Sequence, residues 1–291
     1  MSFVAKKHVS HNQFGYMIVD ESTGQCLGGF GANYYRPWVF PLYTPNGLTV
    51  LQEFPYDHPF HTAMWVAQGP ICHNGNESHF WPSPPMRIAD EPLFENMGRM
   101  DVGDPEIIAL EQGIRFRLNS IWRDKNGEAV LDEERTVELL SSNEGTVCNM
   151  WSKKTASYGA LEYRQSKFGS VGVRVEPRLL PELGGVVLAS DGRRGTAEVA
   201  IDQECTYVAY ENSLPSGERF GLLMTILDRE TEQAGIKTGP WFVRDYGLAA
   251  YNATRHESIY SNMGESWTIG LRVAAYDGSM NNHRADSIMA L

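Results

Sequence analysis

Ile114-Arg115-Phe116-Arg117-Leu118-Asn119, then Asp124-Lys125-Asn126-Gly127, then Val130 to Leu140, is the stretch on which the fold of this chain turns. Ile114, Phe116 and Leu118 alternate with Arg115, Arg117 and Asn119. A period of two puts the apolar side chains on one face of an extended strand and the polar ones on the other. Asn126-Gly127 tolerates the positive φ values of a tight hairpin turn, so the two runs are predicted to pair antiparallel.

The same grammar recurs outward from this hairpin. Phe14, Tyr16 and Ile18 alternate before the turn residues Ser22-Thr23-Gly24. Further strands are predicted at 196–201, 206–210, 220–227 and 268–275, the last with Ile269, Leu271 and Val273 on one face. No segment keeps helical spacing, and 28 glycines and 15 prolines punctuate the 291 residues at short intervals. The expectation is an all-β protein with few helices, a large antiparallel β-sandwich. Neither a repeat nor a linker-like composition shift divides the chain, so residues 1–291 are read as one domain, with 279–291 as a loosely attached tail.

Hydrophobic residues make up 42% of the chain and charged residues 21%, a globular composition able to bury a sizeable core. The formal charge of −11 and the lack of any Lys/Arg run argue against nucleic acid as a partner. No apolar stretch reaches the roughly 18 residues of a membrane-crossing helix, so no membrane partner is expected. Near the start, Lys6-Lys7 is followed by polar residues rather than an apolar export core. The expected compartment is cytoplasmic, with Cys26, Cys72, Cys148 and Cys205 reduced and without a CxxC pair. The chain lacks a P-loop, a dinucleotide-binding glycine fingerprint and a GxSxG elbow, so no nucleotide cofactor is expected.

Between Phe54 and Met100 the alternation fails and proline, histidine and tryptophan accumulate, which reads as long ordered loops with short strands. Four of the eight histidines, His58, His61, His73 and His79, fall within 22 residues there. His58 and His61 flank Pro59-Phe60 just after Asp57, a spacing that lets two imidazoles converge from one turn beside a carboxylate. Three readings follow: acid/base or substrate-contact histidines, a divalent metal site using His58, His61 and His79, or imidazoles that satisfy loop carbonyls. Trp65 and Trp81, close in sequence to polar neighbours, are the aromatic faces best placed to stack a sugar ring. His73, Asn74, His79, Lys167 and Asn252 complete the candidate substrate contacts, although Asn74-Gly75 also has the residues of a plain turn. Arg174 alternates with Val173 and Val175, and needs an anionic partner such as Glu162 or a ligand oxygen. Arg244-Asp245 lies beside aromatics in Trp241 to Gly247 and could complete the site with His58 and His61.

Taken in order, several motifs resemble one family: Arg36-Pro37 with Pro41 to Gly47, Asp57 to His61 with Trp65, Phe80-Trp81, Gly169 to Val175, Ser190-Asp191-Gly192 with Gly195, and Trp241 to Gly247 with Asn252. The series, spanning residues 30–278, looks like the bacterial PmoA-like proteins. Their methane-oxygenase label does not transfer, since that oxygenase is an integral membrane copper protein. The resemblance implies a β-supersandwich of the galactose mutarotase type and a sugar or oxidised sugar as substrate. It places His58, His61, Trp65, Trp81, Arg174, Arg244 and Asp245 at recurrent family positions. Arg164-Gln165-Ser166 departs from the pattern, standing where an Asp-Thr type pair is expected.

The leading expectation is an enzyme that moves a proton on a sugar or keto-sugar, leading to elimination, hydrolysis or epimerisation. His58 or His61 would be base or acid, Asp245 the orienting or second carboxylate, and Arg174 or Arg244 the oxyanion partner. The alternatives are a non-catalytic sugar-binding accessory subunit of an oxidoreductase system, with a homo-oligomer allowed, and a metal-dependent hydrolase or lyase built on His58, His61 and His79. Convergence of four or more of His58, His61, His79, Arg174, Arg244 and Asp245 in one cleft would favour a catalytic site.

Overall fold

The computed structural model describes residues 2–8, 13–83, 92–227 and 241–291. Its strands form two large antiparallel sheets whose apolar faces share one core. In hydrogen-bonded order the first sheet runs Phe3–Lys7, Phe14–Asp20, Cys26–Ala32, Pro37–Leu42, Met64–His73, Leu161–Arg174, Leu248–Tyr251 and Trp241–Val243. The second runs Arg194–Gly195, Val186–Ala189, Tyr207–Ser213, Arg219–Ile226, Ser266–Asp277, Gly145–Thr155, Ala129–Ser142, Gly113–Arg123 and Arg99–Val102. This is the all-β antiparallel sandwich that the alternating runs predict.

The founding hairpin forms as read. Gly113–Arg123 pairs with Ala129–Ser142 so that Phe116 faces Val137 and Ile114 faces Leu139, all four buried, while Gly127 turns the chain at φ 89°. The strands predicted over 206–210, 220–227 and 268–275 also form, as Tyr207–Ser213, Arg219–Ile226 and Ser266–Asp277.

Three expectations are corrected. Residues 196–201 make a 3₁₀ turn at Ala197–Val199, because their amides are consumed locally: Val199 and Ile201 donate to Thr196 and Ala197 carbonyls, and Ala197 donates to the Asp245 side chain. The strands expected after Phe54 are not all short. Met64–His73 is a ten-residue strand, and it escapes the period-two rule because its first six residues are all buried; residues 84–91 lie outside those described. The tail is not loose either. Asn282–Met289 is a helix capped by Asn281, with Ala285 and Ile288 buried against Leu223 and Ala274 on the outer face of the second sheet. Arg272 fastens its end, donating from Nη1 to the Ile288 carbonyl at 2.6 Å.

All four cysteines are free thiols. No described helix is long and apolar enough to cross a membrane.

Candidate functional site

Met64–His73 and Leu161–Arg174 are neighbours in the first sheet, and the loop before the former carries Asp57 to His61. The arms of that loop pair at Glu53 and Thr62, and Phe54 N donates to the His61 carbonyl at 3.1 Å. Inside it, His58 N turns back to Pro55 O and His61 N to His58 O, at 3.2 and 2.9 Å. Phe54 and Ala63 bracket the loop with φ of 48° and 59°, a left-handed conformation that costs a non-glycine residue about 1–2 kcal/mol. The backbone of Arg174 anchors the base: its amide donates to Ala63 O at 2.6 Å and its carbonyl accepts from Gln52 N at 2.9 Å.

This loop sets a chain of three side chains. Arg174 Nη2 holds both oxygens of Asp57, at 2.7 and 2.8 Å, and Asp57 Oδ2 holds His58 Nδ1 at 2.8 Å. Burial opposes ionisation of Asp57, but the hydrogen bonds from Arg174 and His58 outweigh it and keep the carboxyl below its usual range. With Nδ1 engaged, His58 has Nε2 left to meet a ligand, and the imidazole is about one-third exposed.

Four rings stack to fix that imidazole. Tyr246 stacks on His58 (centroids 4.9 Å, planes 10° apart), as does His61 (4.9 Å, 6°), and Trp65 stacks on His61 at 5.1 Å. Trp65 fits only because its cross-strand partner is Gly172, where a Cβ would come within 2.6 Å of the indole. Trp81 meets His61 edge-on at 5.7 Å. Burial first, then the charges of Arg174, His58 and Arg36, push the His61 imidazole well below its ordinary value, so it is neutral. Burial also raises the Tyr246 phenol, with Arg174 and Arg244 opposing, so it keeps its proton.

His58 and His61 open onto a cavity of about 500 Å³. Aromatic walls come from Trp81, Phe60, Phe94, Phe168, Phe242 and Tyr246, and its charged groups are Lys167, Arg244, Asp245 and Glu182. This mixture of flat apolar faces and a few polar groups suits a small polar ring. Openings of about 690 and 740 Å³ elsewhere on the described surface contain no histidine, so volume alone does not mark the site.

Of the six residues whose convergence was in question, His58, His61, Arg244 and Asp245 line this one cavity, as do Trp81 and Lys167. Arg174 sits directly behind it, its guanidinium 4.9 Å from the Tyr246 ring centre, and its partner is Asp57 rather than Glu162. Glu162 pairs with Arg164 instead. Asp245 does not orient a histidine; its Oδ1 accepts from Ala197 N at 2.7 Å, and Asp57 takes the orienting place.

Other candidates stand apart. Trp65 is fully buried and stands behind His61 and Trp81, which line the cavity. His73 and Asn74 form the turn between Met64–His73 and Asn76–Ser78, with Asn74 and Gly75 at φ 50° and 78° and His73 Nε2 against Tyr158 O. His79 bonds Glu77 through Nε2 at 2.9 Å, and Glu77 in turn pairs with Arg164, so the departing Arg164 segment serves this network. Asn252 is buried, its amide donating to Ser166 O while its oxygen accepts from Thr254. Among the described residues no three His, Cys, Asp or Glu side chains group to hold a metal, so the set His58, His61 and His79 does not form.

Sequence reasoning missed Tyr246, Phe94, Phe168, Phe242 and Glu182. Tyr246 and Phe242 flank Arg244-Asp245, so that motif could have found them; Phe94 and Glu182 carry no local signal.

Three solved structures are similar at low identity. A galactose mutarotase-like protein from Lactobacillus casei ATCC 334 is 8% identical over 94% of this chain and 100% of its own, with a TM-score of 0.38. The Slr1438 protein from Synechocystis sp. PCC 6803 is 10% identical over 94% and 95%, with a TM-score of 0.37. The 4-alpha-glucanotransferase from Thermococcus litoralis is 9% identical over 94% of this chain with a TM-score of 0.37, and this chain spans 40% of its length. No curated protein sequence matches. The family model that matches does so over residues 30–290, nearly the span of the motif series, but under a different description from the PmoA-like one those motifs suggest. The chain belongs to the family of unknown function DUF6807.

Proposed function

We propose that this protein is a carbohydrate-active enzyme that removes and returns a proton next to a carbonyl of a sugar or oxidised sugar. The observation that carries the reading is the Arg174–Asp57–His58 chain, which ends in a ring nitrogen free to face an aromatic-walled cavity. In the first step the C–H bond breaks, its proton goes to His58 Nε2, and its electron pair moves into the adjacent carbonyl to give an enolate. The ionised Asp57 stabilises the imidazolium that forms, and the clamp from Arg174 holds Asp57 in place. Tyr246, a protonated phenol on the cavity wall, is a neutral donor for the enolate oxygen. Asp245 supplies a second carboxylate in the same cavity. Return of the proton to the other face gives epimerisation, and departure of a β-substituent gives elimination. His61 stays neutral and acts as a positioning wall.

The test is hydrogen exchange from solvent, which needs no knowledge of the product. A panel of keto-sugars and sugar acids is incubated with the protein in D₂O, and loss of the C–H signal is followed by NMR. Exchange into at least one sugar is expected, falling roughly 10²- to 10⁴-fold in His58→Asn with the melting temperature preserved. Exchange that survives this substitution removes His58 as the base. Sugars that bind without any exchange favour the non-catalytic accessory reading instead.

A further inference from the structure

The same cavity holds two exposed cations, Arg244 and Lys167, that form no ion pair with the carboxylates of Asp245 and Glu182 beside them or with any other described residue. Across the described chain, arginines are mostly spent on carboxylates, as with Arg115 on Glu138, Arg135 on Glu133, Arg164 on Glu77 and Arg255 on Asp202. With 36 acidic residues against 25 basic ones, acidic partners are in surplus. Arg244 and Lys167 nevertheless make no ion pair among the described residues: Arg244 lies 4.6 Å over the Phe242 ring and Lys167 5.1 Å over Phe168. Both line the cavity. Asp245, which lines it too, is turned to the Ala197 amide instead. Behind the wall, Arg174 Nη1 is buried without a partner although Nη2 is fully used.

An arginine whose guanidinium lies over an aromatic ring still has N–H groups left for a carboxylate, which it can receive in two parallel hydrogen bonds. We infer that the substrate is a sugar bearing one carboxylate, a uronic acid, bound between Arg244 and Lys167 with its ring against the aromatic walls and a C–H next to the carbonyl at His58. This rests on the proposed proton transfer and narrows it. When the abstracted proton is the one α to the carboxylate, the two cations also offset the charge that builds on that group in the enolate, which is what makes such a weakly acidic C–H removable.

The experiment is calorimetric binding of a panel of hexuronates, each against its neutral parent hexose, and of glucose 6-phosphate, to the wild-type protein and to Arg244→Gln, Lys167→Gln and His58→Asn. At least one sugar acid is expected to bind about tenfold or more tightly than its parent, with the preference shrinking in high salt. Each of Arg244→Gln and Lys167→Gln should erase most of that preference without changing affinity for the neutral sugar, and His58→Asn should retain it. Equal affinity for every acid and its parent, or a preference that survives both substitutions, overturns the inference; so does tighter binding of the phosphate ester than of any carboxylate. A sugar acid that binds with the expected preference yet exchanges no hydrogen in D₂O would refute the catalytic reading and leave the carboxylate site standing.

Discussion

Glu133 and Asp57 are each gripped by an arginine, and only Asp57 passes a hydrogen bond on to a side chain that lines the aromatic-walled cavity. Glu133, on the inner face of the second sheet, accepts from Arg135 Nε and Nη2, from Ser120 and Ser152 hydroxyls and from the Trp122 indole, and both Glu133 and Arg135 are wholly excluded from solvent. Among the described residues Asp57 accepts from Arg174 and His58 alone, and it is about one-quarter exposed. The first is saturated and sealed; the second passes its charge to an imidazole that opens onto a cavity. A buried ion pair by itself marks neither stability nor function, and what distinguishes the two is whether a valence is left over for something outside the protein.

The largest expected effect breaks the sealed pair. Glu133→Gln would set an amide N–H₂ against the Ser120, Ser152, Trp122 and Arg135 donors and leave Arg135 as an uncompensated buried cation. Urea unfolding should show a loss of about 3–5 kcal/mol. A loss below about 1 kcal/mol would mean the pair is less isolated from water than its burial implies.

Asp57→Asn should behave differently in kind. Asp57 is partly exposed and the Arg174 guanidinium keeps its contact with Tyr246, so stability should fall by only about 1–2 kcal/mol. Hydrogen exchange into substrate should fall roughly 10²-fold, because the imidazolium loses its counter-charge and the tautomer its fixed acceptor. A stability loss as large as that of Glu133→Gln, with exchange intact, would turn Asp57 into a second structural carboxylate.

The contrast also shows what was legible in the sequence. The hairpin from Ile114 to Leu140 could be read because one face of each strand is buried and the other is not, which is the condition for a period of two. Met64–His73 was hidden because most of it is buried on both faces. The helix at Asn282–Met289 is too short to show a period, and only Ala285 and Ile288 of it are buried. Within the site, Asp57-His58-Pro59-Phe60-His61 stood out because loop geometry makes the local sequence do the positioning. Glu182 and Phe94 reach the cavity from distant parts of the chain, and such convergence leaves no trace in spacing. The tryptophan prediction divided for the same reason: Trp81 lines the cavity, whereas Trp65 sits one ring deeper, and nothing in their neighbours distinguishes first layer from second.

The smallest expected effect sharpens the sealed region from its other side. Lys154 shares that interior, with its ammonium 4.1 Å over the Trp267 ring and no hydrogen-bond partner among the described residues. Burial, opposed by Glu133 and assisted by Arg135, pulls its amine down to about 7 from an ordinary 10.5. Between these values the unfolded chain binds a proton that the folded one does not, so wild-type stability should rise with pH from about 7 towards 10.5. Below about 7 the folded protein carries the full cost of a buried charge. Lys154→Met keeps the length and removes the charge. At pH 6 it should be more stable than wild type by about 1–3 kcal/mol, with the advantage shrinking as pH rises through that window. Denaturant midpoints of both proteins at pH 6 and pH 9.5 decide it. An advantage that does not narrow with pH would mean that folded Lys154 keeps its proton across this range, held charged by Glu133 and the Trp267 ring.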